Sequence, residues 1–246
     1  MSFHVVIPAR WASTRLPGKM LADLAGKPLV VRVAQRAAMS NAESVMVATD
    51  HEPIHEAVTR EGFKAIMTDA NHASGTDRLA QAAKLMRWRD DALVVNVQGD
   101  EPFVDPMLIN DLARCLSANP DVDMATAASP ITGQDQLSNP NVVKVVLDNS
   151  ARALYFSRSA IPFVRNRVEG LNPLHHIGIY AYRVGFLLAF PNLTQGLLER
   201  TESLEQLRAL EHGFKIQVLV TDRPHAPGID TVEDLEAARQ SMANTI

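Results

Sequence analysis

The chain of 246 residues has one cysteine, Cys115, so no internal disulfide can form. Its setting, Leu112-Ala113-Arg114-Cys115-Leu116, reads as one face of a helix and describes a buried, inert thiol rather than a nucleophile. No Cys/His partners stand at ligand spacing around His175-His176, which excludes a zinc site. There is no Gly-x-Ser-x-Gly elbow and no cysteine–histidine pairing, so covalent nucleophilic catalysis is not expected. Gly-x-x-x-x-Gly-Lys-Ser/Thr and Gly-x-Gly-x-x-Gly are both missing, which excludes a P-loop and the dinucleotide fingerprint. No apolar run reaches the ~18 residues that span a bilayer. No signal peptide precedes the first strand, and together these predict a cytoplasmic protein. Positive charge is not in excess either. With a formal net charge of −4, the chain lacks the basic surface that non-specific nucleic-acid binding needs. Internal repeats and low-complexity tracts are absent.

What is present is an alternation of strands and helices. Phe3–Ile7, interrupted only by His4, and Ser44–Thr49, Lys64–Met67 and Ala92–Val97 read as apolar strands, the pattern of strands buried on both faces. Between them lie helical segments from Pro28 to about Met39, Glu52 to Glu61 and Thr76 to Arg87, and another follows from Pro106 to Leu116. This predicts an α/β fold with a mostly parallel sheet, whose ligands bind beyond the carboxyl ends of the strands. From Val122 the rhythm changes. Asp123–Ser129, Val142–Leu147, Ala153–Ser157 and His176–Tyr182 read as strands with little helix between them. A β-rich part at about 122–182 within a single domain of residues 1–246 is therefore expected. Helices return at Val184–Phe190, Ser203–His212 and Thr231–Met242, with a strand at Lys215–Val220.

The loop after the first strand, which Pro8 is expected to end, carries Arg10, Arg15 and Lys19. Ala9, Ala12, Ser13 and Gly18 are small enough to let a ligand approach the backbone amides. Three cations and free N–H groups at that place describe a polyphosphate cradle. Val97-Gln98-Gly99-Asp100-Glu101-Pro102 follows the fourth strand. Asp100 there is either a Mg²⁺ ligand facing the phosphates or a cap of the next helix, and position does not choose between them. Asp230, in Gly228-Ile229-Asp230-Thr231, carries the same two readings, with Thr231 as the helix N-cap. Ser74-Gly75-Thr76-Asp77-Arg78 opens a helix and offers hydroxyls and a guanidinium to a base or phosphate, or simply a helix cap and an exposed arginine. In the second half Tyr155, Arg158, His176, Tyr180, Glu205 and Gln206 place polar groups at strand edges and helix starts. Arg158 could pair bidentately with a carboxylate.

Two stretches together, Ile7-Pro8-Ala9-Arg10 through Ser13-Thr14-Arg15-Leu16-Pro17-Gly18-Lys19 and Val95 to Pro102, resemble the signatures of the cytidylyltransferases that activate acidic sugars. Leu154-Tyr155-Phe156-Ser157-Arg158, His176-Ile177-Gly178-Ile179-Tyr180 and Leu204-Glu205-Gln206-Leu207-Arg208 are similar to those members that use 3-deoxy-manno-octulosonate (Kdo). The likeness extends to Gly228-Ile229-Asp230-Thr231. It implies a Rossmann-like nucleotidyltransferase fold, a homodimer formed through the β-rich part, CTP and Kdo as substrates, and Mg²⁺ as cofactor. The product would be CMP-Kdo for lipopolysaccharide biosynthesis. By matching motif, Ala9, Arg10, Ser13, Arg15, Lys19, Ser74, Gly75, Arg78 and Gln98 would bind the nucleotide. Lys19, Arg10 and Asp100 would be catalytic, and Asp100 and Asp230 would hold Mg²⁺. Gln98, Arg158, His176, Tyr180, Glu205 and Gln206 would face the sugar. Trp11 and Met20 depart from the pattern, where a Tyr-like ring and a proline or other apolar residue are usual. Sialic acid or 8-amino-Kdo as acceptor, a phosphorylated alcohol or sugar phosphate as acceptor, and a non-catalytic nucleotide-binding protein are the competing readings.

Overall fold

The opening apolar run becomes β1 (His4–Ala9) of a computed structural model that describes residues 1–13, 15–166, 170, 172–223 and 225–243. A 3₁₀ turn at Lys19–Leu21 leads into a small ribbon of β2 (Asp23–Leu24) and β3 (Lys27–Pro28). Then come α1 (Leu29–Ala37), β4 (Ser44–Thr49), α2 (Glu52–Arg60), β5 (Lys64–Met67), α3 (Gly75–Leu85), β6 (Leu93–Asn96) and α4 (Pro106–Ala118). The second half adds β7 (Met124–Pro130), α5 (Gln134–Ser138), β8 (Lys144–Leu147), β9 (Ala153–Ser157) and β10 (Leu174–Arg183). The chain closes with α6 (Val184–Ala189), α7 (Leu197–Glu202), α8 (Gln206–Glu211), β11 (Ile216–Val220) and α9 (Val232–Ala243).

Seven strands form the sheet in the order β11-β7-β10-β6-β1-β4-β5, with β8 and β9 added along β10. Only β10 runs against its neighbours on this path, antiparallel to both β6 and β7. Two of the four strands expected in the β-rich part thus lie inside the main sheet, and β8–β9 alone form the extension. The reversal of β10 has a consequence for function. Its first residues, Leu174 to His176, lie at the edge where the parallel strands end.

Side chains alternate between two covered faces. Val5, Ile7, Val95 and Val97 pack with Val30, Val33, Leu108 and Leu112 of α1 and α4. Val6, Met46 and Val94 pack with Leu79 and Ala82 of α3, and with Phe186 and Leu207. Burial on both faces is why these strands read as mainly apolar runs.

Pro8 does not end β1, which continues through it to Ala9, opposite Thr49. Val6 accepts a bond from Val97 N–H on the β6 side, and the β6 ladder stops there. Two residues on, Pro8 faces that same side, so its missing N–H forfeits no ladder bond.

Candidate active site

Strand ends and the loops after them enclose a cleft of about 510 Å³. One wall is the first loop (Arg10, Ser13, Arg15, Lys19) and the other is the start of α3 (Ser74, Gly75, Arg78). Gln98, Gly99 and Asp100 form the floor, and Asp230 reaches in from the approach to α9. The floor can sit so close because residue 99 has no side chain. A Cβ there would come 2.8 Å from the Pro8 carbonyl oxygen and 3.0 Å from the Met20 sulfur.

Lys19 is buried, and its ammonium donates to Asp100 Oδ2 at 2.6 Å and Asp230 Oδ1 at 3.0 Å. Arg15 pairs with the other oxygen of Asp230 at 2.9 Å. Neither carboxylate is a helix cap. Asp105 caps α4 by accepting from Met107 N–H at 2.9 Å. At α9, Thr231 and Asp234 form a reciprocal box, at 3.2 and 2.9 Å, and the backbone N–H groups of Asp230 and then Thr231, donating to the Asp234 carboxylate, lower its pKa. Asp100 and Asp230 are thus left to meet a cation. Their oxygens converge on one ammonium-sized point, and an all-oxygen donor pair suits Mg²⁺. Among the described residues no group of three or more His, Cys, Asp or Glu side chains forms a metal cage. Two carboxylates, with phosphate and water completing the shell, is the usual arrangement for Mg²⁺.

Not every expected nucleotide ligand presents its side chain to the cleft. Ala9 is fully buried in the core. Ser74 caps α3, accepting from Asp77 N–H at 3.2 Å while Asp77 accepts from Ser74 N–H. Arg78 touches the cleft, but it is no exposed arginine. It is buried, pairs with Asp50 at 2.7 Å, and donates to Thr68 Oγ1. Arg10 is exposed and carries no hydrogen bond or ion pair among the described residues.

Of the expected sugar-facing residues, His176, Tyr180 and Glu205 come together beside the cleft. The His176 and Tyr180 rings are 5.5 Å apart, and Tyr180 pairs with Asn96 at the end of β6. His176 is buried against Thr126 Oγ1 at 2.9 Å, and burial pushes its pKa down to about 3, so the ring is neutral. Burial raises the Tyr180 hydroxyl well above its usual pKa, and the Glu205 charge adds to this. Glu205 accepts from Thr76 Oγ1 on α3, and its carboxyl pKa is raised by burial. Gln206 is buried with its Nε2 unpartnered.

Arg158, also expected to face the sugar, is engaged with backbone carbonyls. Its Nε donates to the Glu202 carbonyl at 2.7 Å, and its Nη groups donate to the Pro140 and Ser203 carbonyls. The fork fastens β9 to the end of α7, and Arg158, like His176 and Tyr180, is not among the residues lining the cleft. Two further residues were not singled out by the sequence. Glu101 is buried with Oε2 unpartnered, and burial, then the Asp100 charge, raise its pKa to about 8. Asp50, directly after β4, joins Arg78 to the first loop.

A sheet covered by helices on both faces, with cations and paired carboxylates beyond its strand ends, is the arrangement that a nucleotidyltransferase uses. Comparison with known proteins makes this specific. The chain matches the cytidylyltransferase family over residues 4–232 and belongs to it. It is 40% identical to a solved CMP:2-keto-3-deoxy-manno-octonic acid synthetase complexed with CTP, with TM-score 0.92 over 100% of this chain and 99% of that one. A cytidylyltransferase from Leptospira borgpetersenii serovar Hardjo-bovis shares the fold, at 18% identity and TM-score 0.65 over 100% and 87% of the two chains. No helix among the described residues is long and apolar enough to cross a membrane.

Proposed function

We propose that this enzyme transfers CMP from CTP to Kdo, giving CMP-Kdo and pyrophosphate. The observation that carries this reading is the convergence of Arg15, Lys19, Asp100 and Asp230 in one cleft. Its weight comes from the full-length likeness to a synthetase of that sugar nucleotide bound to CTP. In the reaction the anomeric hydroxyl oxygen forms a bond to the α-phosphorus. The bond from that phosphorus to the bridging oxygen breaks, pyrophosphate leaves with the electron pair, and the hydroxyl proton passes to water. Arg10, Arg15 and Lys19 hold the triphosphate and stabilise the negative charge that grows on the α-phosphoryl and departing oxygens. Asp100 and Asp230 would hold Mg²⁺, which when bound would neutralise phosphate oxygens. The backbone amides of the first loop and of Ser74–Gly75 complete the cradle. Gln98, His176, Tyr180, Glu205 and Gln206 orient the sugar; neutral His176 serves as a hydrogen-bonding group and not as a cation.

We also propose that two copies associate through the β8–β9 side, where Leu154 and, on neighbouring α7, Leu197 stand more than half exposed. Light scattering after gel filtration tests this. The reaction belongs in the cytoplasm, where CTP is made, and supplies lipopolysaccharide biosynthesis.

The deciding experiment incubates the protein with Mg²⁺, each nucleoside triphosphate and a panel of Kdo, 8-amino-Kdo, sialic acid and a sugar phosphate. Pyrophosphate release with CTP and Kdo far above all other pairs is expected. Preference for another acidic sugar would reassign the acceptor, and nucleotide binding without pyrophosphate release would leave a binding protein.

A further inference from the structure

Asp50 occupies a place that the proposed chemistry does not use. It follows β4 directly, and its side chain is only 10% exposed. Oδ2 accepts from Arg78 Nη2 at 2.7 Å, and Oδ1 accepts from the backbone N–H of Trp11 at 3.0 Å. Each partner is anchored again. Arg78 Nη1 donates to Thr68 Oγ1, which donates to the Thr49 carbonyl at 3.0 Å. The Trp11 indole stacks on His51, with centroids 4.0 Å apart and planes 9° from parallel. The same ring covers Gly18, where a Cβ would come within 3.3 Å of it. One buried carboxylate therefore connects the start of the cation-bearing loop to the first turn of α3. Those are the two opposite walls of the cleft.

We propose that Asp50 is a positioning residue that sets the spacing of these walls, and that Arg78 acts on the nucleotide through Asp50 rather than by touching it. The proposal rests on the nucleotide reading of the cleft. Both acceptor oxygens of Asp50 and both outer nitrogens of Arg78 are committed within the protein. A charged pair so buried holds a fixed geometry, since separating it would strand an ion out of water. Small displacements of a phosphate cradle are costly to binding and rate. Trp11 gives the idea a local reporter. The chain has two tryptophans, and the other, Trp88, stacks on His4 at the opposite end of β1.

The test uses the full chain with Trp88→Phe, so that Trp11 alone fluoresces. Asp50→Ala, Asp50→Asn, Arg78→Met and the double variant Asp50→Ala with Arg78→Met are compared for melting temperature, Trp11 anisotropy without nucleotide, and CTP affinity without acceptor. Asp50→Ala is expected to lower Trp11 anisotropy and weaken CTP about tenfold or more. The double variant should match the weaker single variant, within about threefold, because the two residues act as one unit. Asp50→Asn keeps an acceptor for Trp11 N–H, so it should restore most of the anisotropy, and it serves in place of Asp50→Ala if the latter fails to fold. Unchanged anisotropy and CTP affinity in a folded Asp50 variant would overturn the proposal. So would losses that multiply in the double variant, since Arg78 would then act on the nucleotide by itself. If the unsubstituted protein bound no CTP, the functional reading would fall, while the anisotropy arm would still decide whether Asp50 fixes the loop.

Discussion

Lys19 and Asp100, 81 residues apart in sequence, meet at 2.6 Å in the floor of the cleft, and Asp230 takes a second bond from the same ammonium. The ammonium balances two carboxylates that would otherwise repel each other at close range. Lys19→Met should therefore do two separable things. It should lower kcat by ~10²–10³, the usual loss of one charge-stabilising group. It should also lower the melting temperature in EDTA and make it rise more with Mg²⁺ than in the unsubstituted protein, since a divalent cation then replaces the ammonium. An identical melting response to Mg²⁺ in both proteins would rule the second effect out. Asp100→Ala should abolish turnover while the protein stays folded. Near-normal kcat at saturating Mg²⁺ would remove Asp100 from the chemistry.

Gly99→Ala tests the close approach of the floor to β1. The added Cβ would sit 2.8 Å from a backbone oxygen of Pro8, which cannot swing aside as a side chain could. Overpacking of this kind costs ~1–3 kcal/mol. In a chain of this size each kcal/mol lowers the melting temperature by roughly 2–4 °C. The strand and the loop must separate, so CTP affinity should fall too. An unshifted melting curve would show that Pro8 and Met20 yield more easily than their packing indicates.

Arg158 separates the sequence reading from the structural one. As a sugar ligand, its loss would raise the KM for the acceptor. As the structure places it, Arg158→Ala removes hydrogen bonds from a charged group to three carbonyls, at Glu202, Pro140 and Ser203. The expected outcome is a loss of ~1–3 kcal/mol of stability, with the acceptor KM little changed. A raised KM at unchanged stability would return Arg158 to the sugar.

These contrasts show what a sequence can carry. Parallel strands leave a local mark in short, mainly apolar runs, so Ser44–Thr49, buried at its core end, and the edge strand Lys64–Met67 are both legible to the residue. The cations of the first loop and the acids after β6 and before α9 were legible as a set, because each follows or precedes an element in a fixed way. Partnership was not. The placing of β10 between β6 and β7 depends on pairs such as Tyr180 with Asn96, which have no local signature. The short helix α7 was missed because its amides at Leu198 and Glu199 are satisfied by Glu211, 13 and 12 residues away. Arg78 and Arg158 look like free forks in the sequence, since nothing near them reveals Asp50 or the Glu202 carbonyl.

His176 and Glu101 tilt the stability of the fold in opposite directions with pH. Burial lowers the His176 pKa from 6.5 to about 3, so between those values the unfolded chain binds a proton that the folded chain refuses. That stability is fully present above pH 6.5 and declines as pH falls toward 3, by ~1.4 kcal/mol per pH unit within the window. Burial raises the Glu101 pKa from 4.5 to about 8, so the folded chain holds the extra proton. Its contribution is fully present below pH 4.5 and is lost as pH rises toward 8, with the same limiting slope. His176→Asn should flatten the acid limb of a denaturant-derived stability profile, and Glu101→Gln the neutral-to-alkaline limb, each leaving the other limb in place. If Glu101→Gln left the upper limb unchanged, the carboxyl would have to be ionised in the folded protein near neutrality, with a partner for its second oxygen. Histidine ring signals supply an independent check. The His176 ring should show no titration between pH 5 and pH 8, whereas the exposed ring of an unfolded chain titrates near 6.5.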